Sequence, residues 1–249
     1  MKYDVLITVA EKDFNKLRFV YDSIWCDLEG VGGVYIISNI EIPNNVKIAC
    51  VNYFLDQQVL DLDFSRFTGK IKTREGWYRQ QFIKLLQEVT GDNYLVMDAD
   101  IILNRKLIVV ENEKPFFLLG KDQHNKPYFD LMKKVFDLDR VYPYSFINEI
   151  MFFKRSIIKH LLHSTSLNIY GFFELVLNEL NRNNQISGFS EYELYGNYVA
   201  KYFPDTYNYK YTKTAEKGKK GLWEDAEIEK MVRTLCVSDV DIIKIHSWL

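Results

Sequence analysis

The sequence predicts an α/β domain: a central sheet of mainly parallel strands with helices covering its faces. Three observations carry that expectation. Short β-branched apolar runs recur at 3–9, 33–38, 46–52 and 94–97. They read as continuous hydrophobic stretches, the pattern of strands buried on both faces. A segment of helical period follows the first run and another precedes the last, giving an order that begins β-α-β-β, and parallel strands need such helical crossovers. At 249 residues, 47% hydrophobic and 27% charged, the chain has core material for one such domain spanning 1–249.

In order, YDVLITV at 3–9 reads as a buried first strand. Phe14, Leu17, Val20, Tyr21, Ile24 and Trp25 then repeat at helical spacing, predicting a helix over 12–28. Residues 33–38 and 46–52 read as the second and third strands. The stretch 53–68 mixes apolar and acidic residues and fits a short helix or a loop. From Trp77 to Val89 the apolar stripe Phe82, Leu85, Leu86 and Val89 predicts a helix stopped by Gly91. YLVM at 94–97 is the next buried strand, and 101–104 continues beyond it. Further strands are expected at 115–120 and 145–153, and helices at 128–138, 155–163 and 170–181. A helix over 189–203 opens on Ser190, with Glu193 completing a capping box. Residues 206–221 are polar, basic and weakly patterned, and predict a mobile loop. A helix at 223–235 and a strand at 241–248 finish the chain.

Lys and Arg total 32 against 34 Asp and Glu, a formal net charge of -2. No global basic field directs the chain to nucleic acid or to a membrane surface. Cys26, Cys50 and Cys236 are scattered and form no CxxC pair, which argues against a zinc cluster or a disulfide framework and for a reducing compartment. No run reaches the roughly 20 apolar residues of a transmembrane helix. The apolar start is broken at Glu11, Lys12 and Asp13, unlike a signal peptide. A cytoplasmic protein is expected, with peripheral membrane association left open. Most of the 17 Tyr and 17 Phe are expected in the core or half-buried on the sheet.

Asp98-Ala99-Asp100 is the sharpest local signal. A hydrophobic strand delivers two carboxylates to its C-terminal end, where ligands of open α/β sheets gather. Two acids one residue apart repel unless a cation lies between them. Mg²⁺ or Mn²⁺, which prefer oxygen ligands, would meet that need, with a diphosphate filling further positions. The alternative is a solvated turn. In the preceding helix, Trp77, Gln80, Gln81 and Lys84 stand at i, i+3, i+4 and i+7 on one side. That side suits sugar hydroxyls, a stacked ring and a phosphate, or else it is a solvated face. Lys70, Lys72 and Arg74 form a basic cluster just before it.

GWYRQQFIKL, YLVMDADIIL and FSEYELYGNYV, in this order, resemble a GT-A-fold glycosyltransferase, and more narrowly the uncharacterised DUF6492-type glycosyltransferase-like family. The likeness spans roughly residues 3–205. It implies a GT-A-like, Rossmann-like mixed sheet flanked by helices. Its nucleotide-binding half would be about 1–104 and its acceptor half about 105–249. It also implies that Asp98 and Asp100 hold Mn²⁺ or Mg²⁺ against a nucleoside-diphosphate sugar of UDP or GDP type. Thr8 to Asp13 would lie near the nucleotide, and His246 stands where several such enzymes place a third metal ligand. The His-glycine-lysine pattern of one retaining group is absent, since the sequence reads HSWL from His246.

The expected reaction is transfer of a hexosyl or pentosyl group to a glycan or other hydroxyl acceptor. Arg74 or Lys84 would stabilise the leaving diphosphate. If the reaction inverts, a carboxylate must accept the acceptor's proton. Glu191, in the first turn of its helix, is the first candidate, and its plain alternative is favourable charge at a helix N-terminus. Glu149, set in the apolar strand 145–153, is the competitor. His124 reads as a loop residue and His160 and His163 as a surface helix end. Lys210, Lys213, Lys217, Lys219 and Lys220 would close over the diphosphate or lie in solvent. Two other classes remain open: a nucleotidyltransferase acting on a sugar phosphate, which would normally show a glycine-rich loop that VAEKDF lacks, and a non-catalytic nucleotide- or glycan-binding domain.

Overall fold

The structure, a computed structural model, describes residues 1–65, 67–86, 89–120, 124–183 and 185–248, the side chain of Trp248 excepted. Its strands are β1 (Tyr3–Val9), β2 (Val31–Ser38), β3 (Asn52–Leu55), β4 (Asn93–Asp98), β5 (Ile101–Leu103), β6 (Val110–Glu111), β7 (Lys114–Leu119), β8 (Ile150–Lys154), β9 (Asn208–Tyr211), β10 (Thr214–Lys220) and β11 (Ile242–Trp248). Its α-helices are α1 (Leu17–Asp27), α2 (Asp56–Val59), α3 (Gly69–Thr73), α4 (Glu75–Leu86), α5 (Lys126–Phe136), α6 (Arg155–Ser164), α7 (Ile169–Arg182), α8 (Glu191–Tyr202) and α9 (Asp225–Leu235).

Among the described residues the central sheet runs β3-β2-β1-β4-β8. The first four strands are parallel and β8 is antiparallel to β4. This is the expected α/β fold: a mixed central sheet flanked by helices, consistent with a GT-A-like arrangement. Strand β1 sits mid-sheet, and Val5, Leu6 and Ile7 are fully buried, as a strand covered on both faces demands. Two small sheets extend the molecule, β10-β11-β5 and β6-β7-β9. The first matters most for the site. Only Ala99 and Asp100 separate β4 from β5, and β11 pairs antiparallel with β5, Lys244 opposite Ile101. The chain between Asp98 and Ile101 is therefore pinned between two sheets.

Helix α4 follows its sequence pattern. Tyr78, Phe82 and Leu85 are buried on one side, and Phe82 stacks on Phe173 of α7 at 4.2 Å between centroids. The predicted extension to Val89 takes in residues 87–88, which lie outside the described residues. Helix α8 starts as expected: Ser190 Oγ accepts from the Glu193 amide at 3.3 Å. The reciprocal half of the capping box is replaced, because the Glu193 carboxylate accepts from Ser145 Oγ at 2.5 Å.

Four expectations are corrected. Residues 46–52 are not a strand, and β3 begins only at Asn52. The Val46 and Lys47 amides both turn back to the Pro43 carbonyl, and Cys50 is left-handed at φ 63°, so turn chemistry overrides the apolar run. The helix expected from 12 begins as a 3-10 helix, Glu11–Lys16, before α1. The strand expected at 145–153 starts at Ile150, and Glu149 is left-handed at φ 60°. Ser145 Oγ accepts from the Ile147 amide, a local bond that competes with strand pairing. Finally, 206–221 is not an open loop but contains β9 and β10. Tyr207, Tyr209 and Tyr211 alternate with polar residues at period two, and Phe117 stacks on Tyr207 at 4.1 Å. The lysines concealed that alternation.

Candidate active site

The acidic pair stands at the carboxyl edge of the parallel strands. Register places Thr8, at the end of β1, opposite Asp98, at the end of β4. Thr8 is buried. The Asp98 amide donates to the Glu149 carbonyl at 2.9 Å and the Asp100 carbonyl accepts from the Ile245 amide at 2.9 Å. The turn carrying both carboxylates is thus fixed by β8 on one side and β11 on the other.

The two carboxylates meet different cations. Lys84, from α4, donates from Nζ to Asp98 Oδ1 at 2.7 Å, and the same ammonium lies 2.8 Å from Glu191 Oε1. Tyr192 donates to Asp98 Oδ1 at 3.1 Å. Gln81, with its amide oriented as its partners require, donates to Glu191 Oε2 at 2.9 Å and to the Phe189 carbonyl at 3.0 Å. Burial works against the Lys84 ammonium, but the charges of Asp98 and Glu191 outweigh it and hold its pKa well above the ordinary value. One ammonium shared by two carboxylates leaves Glu191 undercompensated, and burial pushes its pKa up despite Lys84.

On the other side of the turn, His246 Nδ1 lies 2.9 Å from Asp100 Oδ2 and its Nε2 lies 3.3 Å from Glu216 Oε1. The Asp100 hydrogen bond raises the His246 pKa against the effect of burial. Burial would raise Asp100, but the bond and charge of His246, helped by Lys16, leave it lowered. Glu149 completes the acidic edge, its Oε2 3.0 Å from Lys244 Nζ. Burial and the Asp98 charge raise its pKa, with Lys244 opposing.

Of the residues singled out in the sequence, Trp77, Gln80, Gln81, Lys84, Asp98 and Glu191 line one cavity of about 210 Å³. Asp100 and His246 are brought together beside it. Asp13 is held by Lys16 at 2.5 Å, and Lys16 also donates to the Ile245 carbonyl at 2.7 Å. The pair thereby braces β11 from within. Arg74 lies outside the residues lining that cavity. Its guanidinium stands 4.4 Å from the Trp77 ring centroid and bonds Ser187. Lys84, expected on a polar helix face, is buried. Sequence reasoning missed Tyr192, Lys244 and Glu216. Lys244 carried a signal, as a lone charge inside the apolar run IIKIH.

Ile147 also lines a second cavity, of about 310 Å³, together with Asn148, Thr212, Thr214, Glu216 and Lys244. Glu149 faces the first cavity while its partner Lys244 faces the second. The acidic edge thus stands between two adjoining cavities.

The two carboxylates are donors of the type that suits Mn²⁺ or Mg²⁺, while the imidazole favours a transition ion over Mg²⁺. Their present arrangement answers the acidic charge differently. Both described bonds to Asp98 fall on Oδ1 and come from Lys84 and Tyr192. Among the described residues no group of three or more His, Cys, Asp or Glu is disposed to hold a metal ion.

No protein-family model matches the chain, which leaves the narrower DUF6492-type resemblance unsupported. No curated protein matches it. Among solved structures, it is similar to the glycosyltransferase GlyE of Streptococcus pneumoniae TIGR4. The match has 14% identity and a TM-score of 0.38, and covers 84% of this chain and 45% of that one. The chain thus spans about half the length of that structure. No described helix is long and apolar enough to cross a membrane.

Proposed function

We propose that this protein is a metal-dependent glycosyltransferase that moves a sugar from a nucleoside-diphosphate sugar to a glycan or other hydroxyl acceptor. One observation carries the reading. An acidic pair ends a parallel strand beside the central β1, with His246 on Asp100 and a lysine on Asp98. This is the edge at which open α/β sheets bind ligands.

In this reading the strands and helices of about 1–104 hold the nucleotide and those of about 105–249 hold the acceptor. Asp98, Asp100 and His246 would hold Mn²⁺ or Mg²⁺, which would neutralise charge on the departing diphosphate. Lys84 adds positive charge at the same edge. Trp77 and Gln80 offer a ring and an amide to the donor, while the buried Gln81, expected to join them, is held on Glu191 and the Phe189 carbonyl. Thr8 lies next to Asp98, and Asp13 secures β11 through Lys16.

The two glutamates divide the remaining work. Glu191 is held by Lys84 and Gln81 and its side chain is 3% exposed, whereas that of Glu149 is 22% exposed. Glu191 therefore serves mainly to hold Lys84 on Asp98, and Glu149 is the carboxylate open to an acceptor hydroxyl. In this reading an inverting reaction would use Glu149 rather than Glu191 as proton acceptor, which the greater exposure of Glu149 supports. A 3-10 helix follows β1 where a nucleotidyltransferase would carry a glycine-rich phosphate loop.

The reading is tested by incubating the protein with UDP- and GDP-sugars, with Mn²⁺, Mg²⁺ or EDTA, and measuring released nucleoside diphosphate. Release from at least one donor, abolished by EDTA, is expected. A complete lack of nucleotide binding and turnover would favour a non-catalytic domain.

A further inference from the structure

The cavity at Asp98 lies to one side of the middle of the sheet. In the order β3-β2-β1-β4-β8, its lining comes from the end of β4, from the approach to β8 and from α4, α5 and the start of α8. Among the described residues, none of its lining comes from β1, β2 or the segments that directly follow them. Thr8 and Asp98 are register partners on β1 and β4. A donor with its nucleotide near Thr8 to Asp13 and its diphosphate at Asp98 and Asp100 therefore reaches this cavity with its sugar end. The volume agrees. About 210 Å³ is below the roughly 300 Å³ at which pockets for drug-sized ligands begin. The space suits one sugar ring and is too small for a whole nucleotide sugar.

The charges of the lining discriminate among sugars. Asp98, Glu149 and Glu191 line the cavity with a single cation, Lys84. Lys84 is engaged by Asp98 at 2.7 Å and by Glu191 at 2.8 Å. Glu149 is held by Lys244, which lines the other cavity. A carboxylate on the ligand would meet Glu149 and Glu191 with no unengaged ammonium in the lining, and such like-charge contact rejects a ligand strongly. Neutral groups find partners. The Gln80 amide lines the cavity and makes no hydrogen bond among the described residues. Ser190 Oγ accepts from the Glu193 amide and keeps its own proton to donate. Trp77 and Tyr128 add ring surface to the lining. An uncharged sugar, with hydroxyls on a partly apolar ring, matches this mixture.

We propose that this cavity holds the sugar unit of the donor and selects an uncharged sugar over a uronate, with Glu149 and Glu191 as the excluding groups and Gln80 as a hydrogen-bonding partner. The proposal deepens the transferase reading and rests on it.

Calorimetric titration of the full chain with Mn²⁺ tests it on three matched pairs: UDP-glucose and UDP-glucuronate, UDP-galactose and UDP-galacturonate, GDP-mannose and GDP-mannuronate. Within a pair only C6 differs, a hydroxymethyl in one member and a carboxylate in the other. At least one neutral donor should bind tighter than its uronate by about tenfold or more. Glu149→Gln should narrow that gap by about threefold or more. Gln80→Ala should weaken the neutral donor by about threefold or more relative to bare UDP or GDP, titrated in parallel. The wild-type pairs decide the matter even if a variant fails to fold. Binding of UDP or GDP together with uronates that bind as tightly as their neutral partners in every pair overturns the inference and leaves the transferase reading standing. So does an equal loss of bare nucleotide and neutral donor in Gln80→Ala, which would put the nucleotide itself in the cavity. Binding of none of these compounds overturns the transferase reading, and the inference with it.

Discussion

Lys84 donates to Asp98 at 2.7 Å across the junction between α4 and the end of β4, and its side chain is only 6% exposed. An ammonium so enclosed is sustained by its carboxylates, and they by it. Lys84→Met would leave Asp98 and Glu191 together without their cation. Breaking such a buried pair typically costs about 3–5 kcal/mol. Urea unfolding should show a loss of that order, and adding Glu191→Gln should recover part of it. A Lys84→Met protein as stable as the wild type would contradict the charge balance described.

His246 makes stability depend on pH. Its folded pKa is raised by Asp100, so its contribution is fully present below the unfolded value of about 6.5 and is lost as pH rises through the folded pKa. The lowered Asp100 acts at the other end: its contribution is present above about 3.9 and disappears as pH falls through its folded pKa. The stability difference between wild type and His246→Gln should therefore be largest between these limits and shrink above neutrality. Urea unfolding at a series of pH values measures it. A gap that widened on the alkaline side would reverse the assignment.

Gly196 tests the packing behind the cleft. A Cβ on this α8 residue would overlap the Phe146 ring, and Phe146 directly precedes Ile147 between the two cavities. Overpacking of this kind costs about 1–3 kcal/mol. Gly196→Ala should lower stability by that amount in denaturant unfolding, whereas a neutral outcome would mean the ring has room to move.

The parts most legible in the sequence were those whose local pattern and tertiary setting agree. Strands β1 and β4 carry the apolar runs Val5-Leu6-Ile7 and Tyr94-Leu95-Val96-Met97, which the sheet buries on both faces. In α4 the spacing of Trp77, Gln80, Gln81 and Lys84 put them on one side of the helix, and all four line one cavity. The pattern could not reveal that this side is closed over by α8, so that Lys84 is buried rather than solvated. Periodicity reports which residues share a face, not what covers it. Glu149 was read as part of a strand because its apolar neighbours are strand-like. Its left-handed backbone accompanies a long-range bond from the Asp98 amide to its carbonyl, which the apolar pattern does not encode. β9 and β10 went unseen because five lysines outweighed a period-two row of tyrosines. Lys217 and Lys219 are tolerable in β10 because it is the edge strand of its sheet, paired only with β11.

The most direct measurement of the central claim is calorimetric titration of UDP and GDP, each with Mn²⁺, into the wild type and an Asp98→Asn, Asp100→Asn double variant whose fold is checked by circular dichroism. The wild type should bind at least one nucleotide, and both EDTA and the double substitution should weaken that binding at least tenfold, about 1.4 kcal/mol. Undiminished affinity in a folded double variant, or no binding of either nucleotide to the wild type, would contradict the assignment of Asp98 and Asp100 to a metal-held donor diphosphate.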